Sequence, residues 1–399
     1  MTTKQGNAAP AAAPEPEDDL RGKLDRLTLA RKEGFRRMAQ APARPQPEAL
    51  TRVQLKALGD EELARYNKAR RRHHANMGPL VTPQMKALHE DMWDIIDSND
   101  EQEGDKAKGA IGIDAFPGLG KTTAVLALAR KFHCREIKDN GALTDEGDER
   151  WPVCRIGLTA NASTRDFNRA VLEFYGHPGR FKGTAADFGI RALDCILTAE
   201  TKLLIIDDVH FLKLRHKNGT ESKNGVEVTD HFKWIANEFP ITLILVGVGL
   251  AAKGLFDEGD RYEDADLAQM GRRTTPLGMD PFMINTDKGR SNWRNTLLAI
   301  EKKIVLADKY KGMVADDLSE YLFARSTGHI GSLMTLINRG CHRAVRTGTE
   351  RLDIELMNQV KNDAASEKGR KALEQQFREG KLTTRRRGKT APRTRNGDA

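Results

Sequence analysis

The chain has 399 residues, of which 39% are hydrophobic and 31% charged, with a formal net charge of +8 and four cysteines. That length accommodates two or three domains around one large core. No apolar segment approaches the roughly 18 residues that a bilayer span requires, which excludes a membrane-spanning helix. Cys134, Cys154, Cys195 and Cys341 stand far apart without a CxxC pair, so neither a disulfide framework nor a zinc site is expected. A basic start followed by an apolar stretch is missing, so no signal peptide is expected, and a cytoplasmic location fits.

The charge is unevenly placed. From Lys361 to the end there are 12 Lys or Arg against 5 Asp or Glu, so +7 of the +8 lies in this tail. Such a distribution points to a polyanionic partner, most simply nucleic acid.

In chain order, residues 1–19 are Ala, Pro and acidic residues with almost nothing to bury, and disorder is expected. Residues 20–40 turn basic, with Leu20, Leu24, Leu27 and Phe35 loosely on one side of a helix pattern that the Pro-rich link 42–47 breaks. Residues 1–46 therefore read as an N-terminal arm, either folding on a partner or acting as a solvated spacer. A helical extension, residues 47–108, comes next. Its pattern over 59–76 opens on Asp60, Glu61 and Glu62 and closes on Arg70, Arg71, Arg72, His73 and His74. That polarity suits the helix dipole by itself, and the cluster is also a candidate DNA or partner surface. Thr82 caps a second helix that starts on Pro83 and runs through Met85, Leu88, Met92, Trp93 and Ile96. Residues 80–85 are candidates for an adenine pocket.

Residues 111–128 carry the strongest signal. An apolar run is followed by Pro117, Gly118, Leu119, Gly120, Lys121, Thr122 and Thr123 and then by an apolar helix pattern, the order strand, phosphate loop, helix. Glycines admit phosphate oxygens to backbone N–H groups, a lysine reaches the β and γ phosphates, and a hydroxyl ligates Mg²⁺. Ala115 stands where the GxxxxGKT pattern begins with Gly, which is tolerable while its φ stays negative. Further on, residues 202–208 form a β-type run ending in Asp207 and Asp208. In the Walker B arrangement the first carboxylate holds Mg²⁺ and the second orients the attacking water; here the second acid is Asp rather than the commoner Glu, so slow turnover is expected. Further strands are expected at 153–158 and 241–246, and helices at 164–175, 185–199 and 228–239. Arg272 and Arg273 follow an acidic stretch and fit either an arginine finger reaching a neighbouring subunit's phosphate or a surface salt-bridge pair. From 289 onward only helix patterns appear, notably 292–306, 315–324, 330–346 and 353–361, with 367–377 as an extension. Arg385, Arg386, Arg387, Lys389, Arg393 and Arg395 close the chain, fitting phosphate contact with DNA or a solubilising tail.

This order of parts resembles the AAA+ transposition ATPases TniB, TnsC and MuB over roughly residues 65–360. The resemblance rests on 116–123, on 203–210, on 244–247, on the paired Arg272 and Arg273, and on the stretch 325–333, which is similar to the group's Ser/Thr-Gly-x-Ile-Gly-x-Leu pattern. It implies an α/β fold, with an AAA+ P-loop core whose parallel sheet is flanked by helices (109–288) and a helical lid (289–362); outside it, composition gives a basic tail (363–399) and disordered termini. It further implies ATP and Mg²⁺ as cofactors and ring or filament assembly on double-stranded DNA. The implied partner is a DDE-type transposase. Lys121, Asp208, Arg272 and Arg273 would be catalytic, and residues 117–123 with Asp207 would bind the cofactor. In AAA+ ATPases a polar residue at the end of the fourth strand senses the γ-phosphate, and none stands there in this chain. A helicase loader or replication initiator of the IstB or DnaC kind, and a non-hydrolysing DNA-binding adaptor, are the alternatives.

Overall fold

The computed structural model describes residues 28–103, 106–159, 162–211, 223–252 and 272–385. Among the described residues four helices precede the sheet: α1 (Lys32–Gln40), α2 (Arg52–Ala57), α3 (Asp60–Ala75) and α4 (Pro83–Asp100). Then β1 (Ala110–Asp114), α5 (Lys121–Asn140), β2 (Val153–Gly157), α6 (Thr164–Tyr175), α7 (Ala185–Thr198), β3 (Leu203–Asp207), α8 (Lys223–Glu238), β4 (Thr242–Gly247) and β5 (Thr274–Gly278) build an α/β unit. Helices α9 (Asp287–Lys303), α10 (Ser319–Ser326), α11 (Ile330–Thr347), α12 (Ile354–Asn358) and α13 (Ala364–Arg378) follow without a strand among the described residues.

The five strands form one parallel sheet in the order β2-β3-β4-β1-β5. Helices cover both faces, so the central strands are continuous apolar runs with every residue of β3 and β4 buried. Ile113 sits between Val246 of β4 and Leu277 of β5, which fixes the end of β1 beside the phosphate loop. Four of these strands were legible as apolar runs. The fifth was not, because Thr-Thr-Pro-Leu-Gly is short, mostly exposed and interrupted by Pro276. At the sheet's edge a proline leaves no inner ladder bond unmade, and that is where β5 lies.

Two expectations are corrected by packing. The stretch read as an arm or spacer contains α1, whose Phe35 is fully buried against His133 and Phe174. Lys32 and Arg36 both bind Glu149, at 2.7 and 2.9 Å, which anchors α1 on the sheet unit; residues 1–27 lie outside the described residues. The helix pattern through Phe35 was legible, but its docking was not, since the rings that meet Phe35 lie on α5 and α6. The second correction concerns the basic end of α3, which is not one surface patch. Arg70, His73 and His74 are buried, with Arg70 forming a two-point ion pair with Glu350 at 2.6 Å. His73 Nε2 meets the Lys303 carbonyl at 2.7 Å, and His74 Nε2 accepts from the Val305 N–H at 3.0 Å. These contacts fasten α3 to the helical C-terminal unit and leave Arg71 and Arg72 half-buried at its surface.

The C-terminal helices enclose a second core around Trp293, Leu297, Phe323, Leu333 and Ile337. Glu301 is buried within it and accepts from the backbone N–H groups of Gly312, Val314 and Ala315, so its charge organises the turn at Met313–Asp317. Helix α13, placed in the tail by the sequence boundaries, packs on α10 instead. Arg325 binds Glu367, and Phe377 meets Phe323 edge-on at 6.2 Å.

Candidate nucleotide site

The phosphate loop leaves the buried end of β1 and enters α5 at Lys121. Gly118 and Gly120 take φ of 80° and 85°, a left-handed geometry that side chains rarely adopt, so glycine is required at both. Ala115 is buried and keeps a negative φ, with its N–H directed to the Gly247 carbonyl at 3.4 Å. Alanine therefore serves the turn without strain. Asp114, just before it, accepts from the N–H groups of Gly249 (2.6 Å) and Ala251 (3.0 Å), tying the end of β1 to the loop after β4. In this way a carboxylate orders the strand end where the sequence has no polar sensor.

Lys121 and Thr122 start α5, facing the end of β3. Burial pushes the Lys121 ammonium below its ordinary value, against the pull of Asp207, Asp208 and Asp114. The Thr122 hydroxyl lies 3.4 Å from Asp207 Oδ1, and Asp207 Oδ2 accepts from Arg155 Nη2 at 2.8 Å. Two hard oxygen donors so placed suit Mg²⁺. Asp208 is half-buried at a φ of 61°, a left-handed conformation that Asp tolerates better than most residues. Its N–H returns to Asp207 Oδ1 at 3.0 Å.

The C-terminal helices close on this loop. The Gly331 N–H donates to the Gly118 carbonyl at 2.8 Å, the His329 ring and the Ser332 hydroxyl lie beside Gly118, and Ile330 lies over Gly120. Between these residues and α3–α4 is a cavity of about 320 Å³, lined by Met77, Leu80, Met85, Leu119, Thr123 and Met334 among others. The expected adenine segment, Leu80 to Met85, is thus on its wall. Residues 104–253 match the family model described as an AAA domain. The chain carries an AAA-type P-loop ATPase domain.

The fold of the AAA unit with its C-terminal helices is similar to the ORC1 protein of Aeropyrum pernix, solved in complex with DNA, at a TM-score of 0.52 and 15% identity over 77% of this chain and 70% of that one. It is also similar to the Aeropyrum pernix ORC2 protein, solved as ADPNP–ADP complexes, at a TM-score of 0.50 and 14% identity over 76% and 72%. No curated protein matches the chain at significant similarity.

Not every expected residue meets at the loop. Arg272 and Arg273 are exposed and lead into β5, where Thr274 pairs with Ala110 at the start of β1. The loop lies at the opposite edge of the sheet, roughly 16 Å away for a five-residue strand. Arg273 Nη1 donates to the Asn237 side chain. Of the basic tail, Arg385 is described and exposed. Arg386, Arg387, Lys389, Arg393 and Arg395 lie outside the described residues.

Three residues at the site had no role assigned from sequence: Arg155, His329 and Gly331. Arg155 was detectable in principle. A lone cation in the buried strand Val-Cys-Arg-Ile-Gly needs a carboxylate, and the end of the neighbouring strand supplies one.

Proposed function

We propose that this protein is an ATP-dependent, DNA-associated AAA+ regulator that assembles on double-stranded DNA and acts in transposition, selecting target DNA and recruiting a DDE-type transposase. The observation that carries the nucleotide part is the closure of the C-terminal helices on the phosphate loop, with Gly331 bonded to Gly118 beside an apolar cavity. A base held there would touch both units at once, so nucleotide state would set their relative position.

Within this reading the backbone of 117–120 and Lys121 bind the phosphates, while Thr122 and Asp207 hold Mg²⁺. Bound ATP with Mg²⁺ supplies the phosphoanhydride to be cleaved. Asp208 orients the water. Arg272 and Arg273, at the far edge of their own sheet, serve a neighbouring subunit's site and make hydrolysis depend on assembly. The AAA domain and the ORC1 structure with DNA support a DNA-associated ATPase; the transposition reading is supported by the pattern of residues 325–333, part of which sits on the phosphate loop. The same likeness to ORC1 favours a second reading as a replication initiator or helicase loader.

Phosphate release with duplex DNA tests the enzyme. Turnover above a Lys121→Ala control is expected, and none, with DNA and purified transposase present, would reduce the protein to a nucleotide-bound adaptor. Stimulation by a transposase and not by a replicative helicase separates the two DNA readings.

A further inference from the structure

The C-terminal half of α11 presents Arg339, His342, Arg343 and Arg346 along one side, at the spacing of successive helical turns. With Arg71 of α3 and Lys361 after α12 they surround an open cleft of about 670 Å³ that, among the described residues, no Asp or Glu lines. Arg339 Nη1 donates to the Lys361 carbonyl at 2.8 Å and Arg343 Nη1 to the Gln359 carbonyl at 2.6 Å. His342 Nε2 meets the Arg71 carbonyl at 3.2 Å. These bonds fix the side chains against neutral groups and leave the positive charge uncompensated. Among the described residues none of the five Lys and Arg has a carboxylate partner, whereas Arg70 of α3 and Arg294, Arg325 and Arg370 of the C-terminal helices all do. The gap is therefore local. Like charges at this spacing repel and weaken a helix by about 0.2–0.5 kcal/mol per pair, which a bound anion would relieve.

We infer that this cleft grips the phosphate backbone of double-stranded DNA, an inference that rests on the proposed DNA association. From Arg339 to Arg346 the row extends about 10 Å along the helix, the reach of several phosphates of one strand at about 3.4 Å axial spacing rather than of a single anion. Among the described residues no ring but that of His342 lines the cleft, a lining without the stacking platforms of single-strand binders that fits sequence-independent backbone contact. The position also links it to the nucleotide. Helix α11 starts on the Gly118 carbonyl, and its Asn338 lines both the cavity and the cleft. On α3, His74 lines the cavity one turn from Arg71.

The test is duplex DNA binding by the full chain carrying Arg339→Gln and Arg346→Gln, both exposed positions, measured from 50 to 200 mM salt with a non-hydrolysable ATP analogue. Each phosphate contact contributes about 0.9 to the slope of log affinity against log salt, so the slope should fall by roughly 1.8. If the contacts contribute nothing at 1 M, the loss at 0.1 M is about 60-fold. Binding of the ATP analogue and the melting temperature should be unchanged. Parental affinity and slope in the double variant would overturn this inference alone. Absence of duplex binding by the parent chain would overturn it together with the proposed function, and a loss confined to an acidic protein partner would reassign the cleft.

Discussion

Gly331→Ala tests whether closure of the C-terminal helices belongs to nucleotide binding. An added Cβ would lie 2.8 Å from the Gly118 carbonyl oxygen and 3.2 Å from its Cα. Both atoms are backbone in a loop whose geometry two glycines have fixed, so the start of α11 must retreat by several tenths of an ångström. That retreat breaks the 2.8 Å bond from the Gly331 N–H, worth about 1 kcal/mol, and overpacking adds about 1–3 kcal/mol. The penalty falls on the closed arrangement and vanishes when the helices swing away. Taking about 2 kcal/mol as the lower value, nucleotide affinity should drop roughly 30-fold. Titration with a fluorescent ATP analogue reads this directly, while a thermal melt should show both cores intact. Affinity within twofold of the parent, alongside abolished binding in Lys121→Ala, would show that the closure is packing without a nucleotide role.

Other perturbations separate the remaining parts. Arg155→Gln removes the partner of a buried carboxylate, and urea unfolding should show a loss of about 2–3 kcal/mol, within the range for a hydrogen bond to a charged group, that Mg²⁺ with ADP partly restores; undiminished stability would mean that Asp207 needs no counter-charge. Asp208→Asn should lower phosphate release at least 100-fold, on the scale of losing a catalytic base, while analogue binding holds within a few-fold. Unchanged turnover would remove Asp208 from the mechanism. His74 is pushed down to about 3 by burial, with His73 and Arg70 adding repulsion. The unfolded chain therefore takes up the proton first, so this contribution is complete above about pH 6.5 and falls by about 1.4 kcal/mol per pH unit below it, down to the folded value. A His74→Gln variant should show a flatter stability profile between pH 6.5 and 4. Neutralising Arg385, Arg386 and Arg387 should weaken duplex binding at all sequences alike and lower its salt slope by about 0.9 for each phosphate no longer neutralised; an unaltered slope would make the tail a solubilising one.

Residues 111–128 were legible because a phosphate loop is local: its glycines, lysine and hydroxyl lie within a few positions, and their chemistry needs that adjacency. Asp207 was legible for a related reason, since a fully apolar strand ending in acid has few other uses. The ion pair with Arg155 joins positions 52 residues apart and shows only when the strand order is known. Similarly, the helix pattern through Phe35 was legible while its docking was not, because Phe35 works through shape and burial against α5 and α6, which lie far along the chain. The run of Arg70 to His74 looked uniform as letters. A helix turns each successive residue by about 100°, and that rotation sends Arg70, His73 and His74 inward while Arg71 faces the cleft.

Electron microscopy of the full chain with duplex DNA and a non-hydrolysable ATP analogue tests the proposed function most directly. Regular rings or filaments on the DNA, absent in Lys121→Ala and in an Arg272→Ala, Arg273→Ala double variant, are the expected result. Single particles detached from DNA at saturating nucleotide would contradict it.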